Sequence, residues 1–222
     1  MKILAIHGSP RTIGSGTRKL TGFVLEGAAE AGAETEMIDL AGLRITSCTA
    51  CEGCILTGTC VYDDDVPALV ARMKEADGIV FASPVYIDNV TGQMKLFFDR
   101  LADAIHYQLL TGKYGCAVVT THDSGAAEVA AYLKHVLNYL GVISVGRIGI
   151  ATQGDAGSID RAEPDARTLG MKLASVIRRG FSDPKQEEEI AGNRAYFKSI
   201  VEANRDFRTA EYEEWKRKGW LD

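Results

Sequence analysis

The residues best suited to chemistry are the cysteines, because four of the five in the chain fall within residues 48–60. Their spacing is C-x2-C-x2-C-x5-C, with Gly53 and Gly58 between them. Glycine gives a loop the backbone freedom that wrapping around a metal centre requires. Three thiolates at three-residue intervals can converge on one face of an iron–sulfur cubane, and a fourth can close the site. The stretch is therefore predicted to bind metal.

Two kinds of metal centre are compatible with such a stretch. The compact C-x2-C-x2-C core is shared with the bacterial ferredoxin run, although the fourth cysteine of that run serves a different cluster. Zinc sites usually present two well-separated C-x2-C pairs, so a [4Fe–4S] cluster is favoured over zinc, and zinc over four free thiols. The predicted ligands are Cys48, Cys51, Cys54 and Cys60. Cys116 lies within an apolar run and is predicted to be a small buried hydrophobic residue.

A second stretch, residues 7–17 with the sequence HGSPRTIGSGT, follows the apolar run 3–6 and precedes a helical pattern. Free N–H groups at a helix N-terminus, hydroxyl side chains and the Arg11 guanidinium together suit a phosphate group. An ordinary strand-to-helix turn is the alternative, because glycine and serine are common in turns. The stretch contains neither a Walker sequence nor a G-x-G-x-x-G fingerprint.

The elements that must position these residues are short apolar strands alternating with amphipathic helices. Strands are predicted at 3–6, 35–40, 78–83, 114–121 and 142–151, and helices from 18 and at 66–76, 92–104, 126–140 and 164–179. This alternation predicts an α/β fold with a doubly wound, five-stranded parallel sheet and helices on both faces. Ligands of such sheets bind beyond the carboxyl ends of the strands, so residues 9–17, 84–89 and 121–125 should surround one crevice.

Composition narrows the possible partners and compartments. The formal net charge is −5 and no stripe of lysine and arginine is present, which argues against a nucleic-acid partner. The N-terminal apolar run is too short for a membrane span and does not resemble a signal peptide. We therefore expect a cytoplasmic protein with no membrane partner.

After residue 181 the composition shifts to charged, aromatic-bearing helical segments. We expect one domain over 1–181, containing the cysteine loop 41–65, and a helical extension over 182–222. The extension could pack on its own domain or contact a neighbouring subunit. Because aromatic residues are enriched in protein interfaces, we expect a homodimer or homotetramer contact.

Taken together, three motifs resemble those of the iron–sulfur flavoproteins, within the NADPH-dependent FMN reductase and flavodoxin-like group. They are Gly8–Arg11 with Thr17, the cysteine motif followed by Asp64-Asp65, and the segment from Ser83 to Arg100. The resemblance spans about residues 1–179. It implies a flavodoxin-like fold that binds FMN and one [4Fe–4S] cluster.

The resemblance also implies which residues contact FMN. The phosphate would lie on the first loop, at Ser9, Arg11, Ser15, Gly16 and Thr17. The isoalloxazine ring would lie between two later loops. One side of the ring would face Pro84, Val85, Tyr86 and Asn89, and the other side Thr121, His122 and Gly125. Thr17 lies one residue further from Arg11 than in the commonest form of the family loop. Which of Ser15, Gly16 and Thr17 contacts the phosphate therefore stays open.

Four further residues receive predictions of their own. His122 is equally well explained as a hydrogen-bond donor to the flavin or as an ordinary loop histidine. His7, at the end of the first strand, is predicted to be structural, and Asp99-Arg100 is predicted to be a surface ion pair on a helix.

The function implied is that of an electron-transfer flavoprotein, in which FMN and the cluster link one-electron and two-electron carriers. The cofactors do the chemistry, so no side chain is assigned as catalytic. Partners would be a ferredoxin-like electron carrier or NAD(P)H, with a quinone or another small acceptor. The alternatives are an NAD(P)H-dependent FMN or quinone reductase and, in another class, a zinc-loop interaction protein without flavin. We expect the cysteine loop to lie close to the flavin ring, within the chain or across a subunit boundary.

Overall fold

The computed structural model describes residues 1–155 and 157–221. Ala156, in the connection after the fifth predicted strand, and Asp222, at the end of the predicted extension, lie outside the described residues. Five strands form a single all-parallel sheet: β1 (Lys2–His7), β2 (Glu34–Asp39), β3 (Gly78–Pro84), β4 (Tyr114–Thr121) and β5 (Ile143–Ala151). Their order is β2-β1-β3-β4-β5, which is the order of flavodoxin-like sheets. The predicted doubly wound fold is confirmed.

Helices cover both faces of this sheet. In chain order they are α1 (Gly16–Glu30), α2 (Gly53–Thr57), α3 (Val66–Glu75), α4 (Gly92–Asp99), α5 (Ala102–His106), α6 (Ala126–Tyr139), α7 (Gly157–Arg161), α8 (Glu163–Arg179), α9 (Pro184–Ala203) and α10 (Thr209–Arg217). Strand β3 is buried along its whole length, as expected of a strand covered on both faces. One apolar core lies under α3, α4 and α6, and the other under α1 and α8.

Helices α1 and α8 pack in direct backbone contact. A Cβ atom at Gly170 would overlap the carbonyl oxygen of Val24, and one at Gly27 would overlap the backbone of Arg167. Only glycine permits this approach. The contact fixes α1, whose N-terminus follows the first loop, against the sheet.

The helix predicted over 92–104 is wrong in one respect, because it is two helices that break at Arg100 and Leu101. The backbone N–H of Arg100 bonds to the carbonyl of Phe97 at 3.0 Å, which tightens the last turn of α4. Leu101 is fully buried and separates α4 from α5. The break is stabilised by the Arg100 side chain, which donates to the carbonyl of Thr46 in the cysteine loop at 2.7 Å.

The C-terminal helices α9 and α10 pack on the same chain. Phe197, Val201 and Trp215 form a third apolar cluster, and Trp215 Nε1 donates to the carbonyl of His106 at 2.9 Å. The role of these helices in an oligomer stays a prediction. Within residues 1–155 and 157–221, no helix has both the length and the apolar character needed to cross a bilayer.

Candidate functional site

The first loop rests on a buried histidine. His7 ends β1, is fully buried, and its Nδ1 lies 2.7 Å from a carboxylate oxygen of Asp39 at the end of β2. Burial lowers the pKa of His7, and this effect exceeds the opposing influence of Asp39. On its other side, His7 Nε2 lies 3.4 Å from Ser15 Oγ. The histidine thus supports the loop from below, as predicted.

The loop leads into α1 with a geometry that suits an anion. Ser15 caps the helix, its Oγ accepting from the N–H of Arg18 at 3.2 Å, and the first turn of α1 carries no acidic residue. Ser9 is buried and accepts from the N–H of Arg11 at 3.2 Å, while the Arg11 side chain is exposed. Both serine hydroxyls are therefore engaged in shaping the loop. Because each hydroxyl accepts in these bonds, its O–H can still donate to a phosphate, alongside the N–H donors of the first helical turn and the Arg11 guanidinium.

Most of the predicted flavin contacts come together around one crevice of about 260 Å³ at the carboxyl edge of the sheet. Its lining consists of Arg11, Gly16, Thr17, Pro84, Val85, Tyr86, Thr120, Thr121, His122 and Thr152. Thr17 Oγ1 and Thr120 Oγ1 are hydrogen-bonded at 2.5 Å, which ties the start of α1 to the end of β4. The crevice lies where the strand order reverses, the place at which doubly wound folds bind their ligands.

Two lining residues, Thr120 and Thr152, are missing from the sequence-based prediction. Thr120 precedes the predicted Thr121 in β4, and Thr152 directly follows β5. The sequence does contain an indication of their place, because threonines at the ends of adjacent parallel strands lie at the same edge of the sheet.

Asn89 and Gly125 do not line the crevice but shape its wall. Asn89 and Tyr86 exchange backbone hydrogen bonds at 2.8 and 3.1 Å, which closes a tight turn whose tip residues 87–88 have positive φ. Gly125 has a φ of 83°, and a Cβ there would come within 3.0 Å of Val85 Cγ1. The two loops therefore pack against each other, and Tyr86 keeps 44% of its surface exposed beside the crevice.

The four predicted metal ligands line a second cavity, of about 340 Å³. Cys48, Cys51, Cys54 and Cys60 surround it together with residues that include Tyr62, Asp99 and Arg100. The backbone on both sides of Cys51 is left-handed without glycine, with φ values of 53° at Ala50 and 59° at Glu52. Such conformations are uncommon outside glycine and cluster at functional sites. The N–H of Ala50 also points at the sulfur of Cys48, 3.4 Å away.

The electrostatics of this cavity suit a positively charged centre. Burial, together with the negative charges of Asp103, Cys60 and Cys48, raises the pKa of the Cys54 thiol to about 11. A cationic metal centre would remove both penalties by neutralising the thiolates.

The grouping of the possible metal ligands bears on which metal centre the cavity could hold. In the described part of the chain, no three His, Cys, Asp or Glu side chains are grouped so as to ligate a single metal ion. Tetrahedral zinc, with Zn–S bonds of about 2.3 Å, would need sulfurs only about 3.8 Å apart. A cubane would offer a separate iron to each thiolate, and four cysteines around a common cavity are compatible with that arrangement.

Arg100 corrects the prediction of a surface Asp99–Arg100 pair. Asp99 pairs with Lys95, whereas Arg100 is buried and forms a two-pronged ion pair with Asp64, at 2.6 and 3.2 Å. Arg100 Nη2 also donates to the sulfur of Cys60 at 3.1 Å. A long-range pairing of this kind has no periodic signature in the sequence, although Asp64 and Arg100 both belong to the quoted motifs.

Asp64 ties together the base of the cysteine loop. Burial alone would raise its pKa, but hydrogen bonds from Arg100 and from the N–H groups of Thr46 and Val66 outweigh burial and lower the pKa to about 2. The neighbouring Asp65 accepts from the N–H of Arg44 at 2.7 Å. Asp64 and Asp65, at the end of the cysteine loop, are thereby hydrogen-bonded to Thr46 and Arg44 near its beginning.

The C-terminal helices support the same loop from outside. Arg208, just before α10, pairs with Glu52 at 3.0 Å. The Tyr107 hydroxyl, directly after α5, donates to the carbonyl of Ile55 at 2.9 Å. The cysteine loop is thus held from one side by these contacts, while Cys48 and Cys51 remain exposed.

Helix α4 separates the two cavities. At its N-terminus, Thr91 Oγ1 donates to the carbonyl of Gly8 in the first loop at 2.5 Å. At its other end, Asp99 and Arg100 line the cysteine cavity. Eight helical residues span about 12 Å. Among the described residues, none lines both the cysteine cavity and the crevice.

The chain is similar in sequence to known flavoproteins. The family profile of the NADPH-dependent FMN reductases matches residues 1–156. An iron–sulfur flavoprotein of Archaeoglobus fulgidus is 33% identical over 224 residues, covering all of both chains. One of Methanosarcina thermophila is 42% identical over 186 residues, covering 82% of this chain and 94% of its own.

Solved structures resemble the chain in fold. An NAD(P)H:quinone oxidoreductase of Methanothermobacter marburgensis superposes with a TM-score of 0.64 at 20% identity, over 78% of this chain and 96% of its own. An archaeal flavodoxin gives a TM-score of 0.54 at 15% identity, over 81% of this chain and all of its own. At these identities the likeness establishes the flavodoxin-like fold alone.

Proposed function

Because the chain belongs to the iron–sulfur flavoproteins of the NADPH-dependent FMN reductase family, and is therefore a flavin-dependent oxidoreductase that binds FMN, we propose that it links one-electron and two-electron carriers through FMN and a [4Fe–4S] cluster. The observation that carries this proposal is the common cavity lined by Cys48, Cys51, Cys54 and Cys60. A ferredoxin-like protein is the proposed one-electron partner.

The FMN phosphate would be bound by the N-terminus of α1 and by Arg11, and the ring would occupy the crevice beside Tyr86. The absence of acidic residues from the first turn of α1 supports a doubly charged phosphate there. Tyr86 offers an exposed aromatic face for stacking. When bound, the flavin supplies electron transfer in one-electron or two-electron steps, while these residues bind and orient it.

The four cysteines would hold the cluster, which supplies one-electron transfer when bound. The left-handed residues Ala50 and Glu52 turn the loop around the cavity, and the N–H of Ala50 supports the sulfur of Cys48. Since α4 separates the two cavities, we propose that electrons also pass between the cluster of one subunit and the flavin of a second.

A second candidate function is NAD(P)H-dependent reduction of FMN or a quinone. The half-exposed Tyr86 favours it, because the crevice is open to a planar nucleotide or quinone that could stack over the flavin. Mixing the anaerobic protein with NADPH distinguishes the two functions. Rapid bleaching of the flavin favours the reductase, whereas bleaching by reduced ferredoxin but not by NADPH favours the electron carrier.

The cluster assignment is tested by Cys51→Ala, with Cys116→Ala as the matched control. Cys116 is fully buried within β4 and is not part of the cavity. In protein purified without oxygen, Cys51→Ala should lose iron and the broad visible absorbance of the cluster but retain FMN. Cys116→Ala should retain both. Iron content equal to wild type in Cys51→Ala, or a colourless wild-type protein that contains zinc, would contradict the proposal.

A further inference from the structure

Beyond the four thiols, the most unusual group in the cysteine cavity is a buried arginine. The side chains of Arg100 and Asp64 are each only 1% exposed. Arg100 uses Nη1 for the carbonyl of Thr46, both Nη atoms for Asp64, and Nη2 for the sulfur of Cys60. Its guanidinium also lies 5.0 Å from the centre of the Tyr62 ring. A cation is thus fixed within hydrogen-bond distance of one proposed ligand and of its own carboxylate partner.

A folding role alone does not explain this arrangement. Replacing a buried ion pair by apolar residues is often neutral for stability, and Thr46 and Asp64 could be satisfied without a donor aimed at a thiol. Hydrogen bonds to the ligand sulfurs and nearby charge are among the factors that set the reduction potential of an iron–sulfur cluster.

We propose that Arg100 and Asp64 together set the reduction potential of the cluster bound by the four cysteines, with Arg100 as a positioning residue acting through Cys60. The inference rests on the proposed function. One-electron reduction, with the electron supplied by a one-electron carrier or a viologen, adds one negative charge to the cluster and its thiolates. The Arg100 donor interacts more strongly with the more negative sulfur, so it favours the reduced form. The Asp64 carboxylate opposes this effect.

The two residues therefore have effects of opposite sign. Arg100→Gln removes the cation and leaves the Asp64 carboxylate near the cluster, so the midpoint potential should fall. Asp64→Asn leaves Arg100 without its counter-charge, so the midpoint potential should rise. Each change should alter the ratio of reduced to oxidised cluster, at a fixed ambient potential, by about tenfold, which corresponds to about 59 mV for one electron. Arg100→Lys keeps the charge and should lie between wild type and Arg100→Gln.

The experiment is an anaerobic redox titration of the full-length protein, followed by electron paramagnetic resonance of the reduced cluster, with iron measured for every variant. Arg72 and Glu36 provide the matched control, because they form an arginine–carboxylate ion pair that is exposed. Arg72→Gln and Glu36→Gln should leave the midpoint potential unchanged.

Opposite shifts in Arg100→Gln and Asp64→Asn, with the control pair silent, would support the inference. If Arg100→Gln does not retain iron, a lowered potential in Arg100→Lys together with a raised one in Asp64→Asn is the supporting result. Shifts of the same sign, or none, in variants that retain the cluster would overturn this inference and leave the proposed function intact. Wild-type protein that binds no iron would overturn the proposed function itself, and this inference with it.

Discussion

The buried carboxylate of Asp64 makes a quantitative prediction about stability. A fall in its pKa from 3.8 to about 2 on folding corresponds to about 2 kcal/mol of stabilisation at neutral pH. Asp64→Asn removes this contribution and leaves Arg100 buried without a counter-charge, a change that usually costs about 3–5 kcal/mol. We expect a loss of about 3 kcal/mol at pH 7. In a chain of this size, that loss lowers the melting temperature by about 6–12 °C.

The sign of the pH dependence follows from the lowered pKa. The contribution of Asp64 is fully present above about pH 4 and is lost as the pH falls toward 2, so wild type and Asp64→Asn should converge in acid. The difference in stability is measured by thermal unfolding followed by circular dichroism at pH 7, 5 and 3.5. Metal is first removed from both proteins with a chelator under reducing conditions. Glu36→Gln, in the exposed pair with Arg72, is the control and should lose less than about 1 kcal/mol. A loss at pH 7 below about 1 kcal/mol in Asp64→Asn, or one that does not shrink in acid, would refute the reasoning.

Three further perturbations test other parts of the structure. Arg11→Ala should weaken FMN binding by about tenfold, measured by flavin fluorescence titration, because a charge-assisted contact contributes about 1.5 kcal/mol; unchanged affinity would remove Arg11 from the phosphate site. Gly170→Ala should destabilise the fold by at least about 2 kcal/mol in urea unfolding, because the added Cβ would overlap the carbonyl of Val24. The control is Gly192→Ala, at an exposed position of α9 with open space around it, which should be neutral or stabilising. Trp215→Ala should lower the free energy of unfolding by about 3–5 kcal/mol and make the C-terminal helices susceptible to protease. Protease resistance equal to that of wild type would show that these helices do not depend on the Trp215 contact.

Sequence reasoning succeeded where the determinants are local. Short apolar runs predicted strands such as β1 and β3, since burial on both faces leaves a continuous apolar sequence, and alternation predicted the edge strand β2. The cysteine spacing was likewise local, and the four thiols do meet in one cavity. The resemblance to known motifs then supplied the identity of the flavin.

What the sequence left out depends on contacts distant in the chain. Periodicity predicted one helix across 92–104, because residues on both sides of the break have apolar positions facing the core. The break exists because Arg100 reaches Thr46 and Asp64, in a loop far from it in sequence. No propensity scale includes such a pairing, so the arginine was assigned to the surface. Residue type likewise did not indicate that the hydroxyls of Ser9 and Ser15 accept hydrogen bonds within the loop, and their contact with the phosphate stays a prediction.

Helix α4 gives the two cavities a fixed relation. Its first turn is fitted against the first loop, where a Cβ on Gly8 would come within 2.8 Å of Met94 Cβ, and its last residues reach the cysteine cavity. Met94 and Phe97 are fully buried, so the helix cannot shift without disturbing the core. The position of α4, whose eight residues span about 12 Å, is therefore fixed by packing in the core. Under the proposed function, changes in the loop around the cysteines should therefore alter the reduction potential of the bound cluster without moving α4 or the first loop that it contacts.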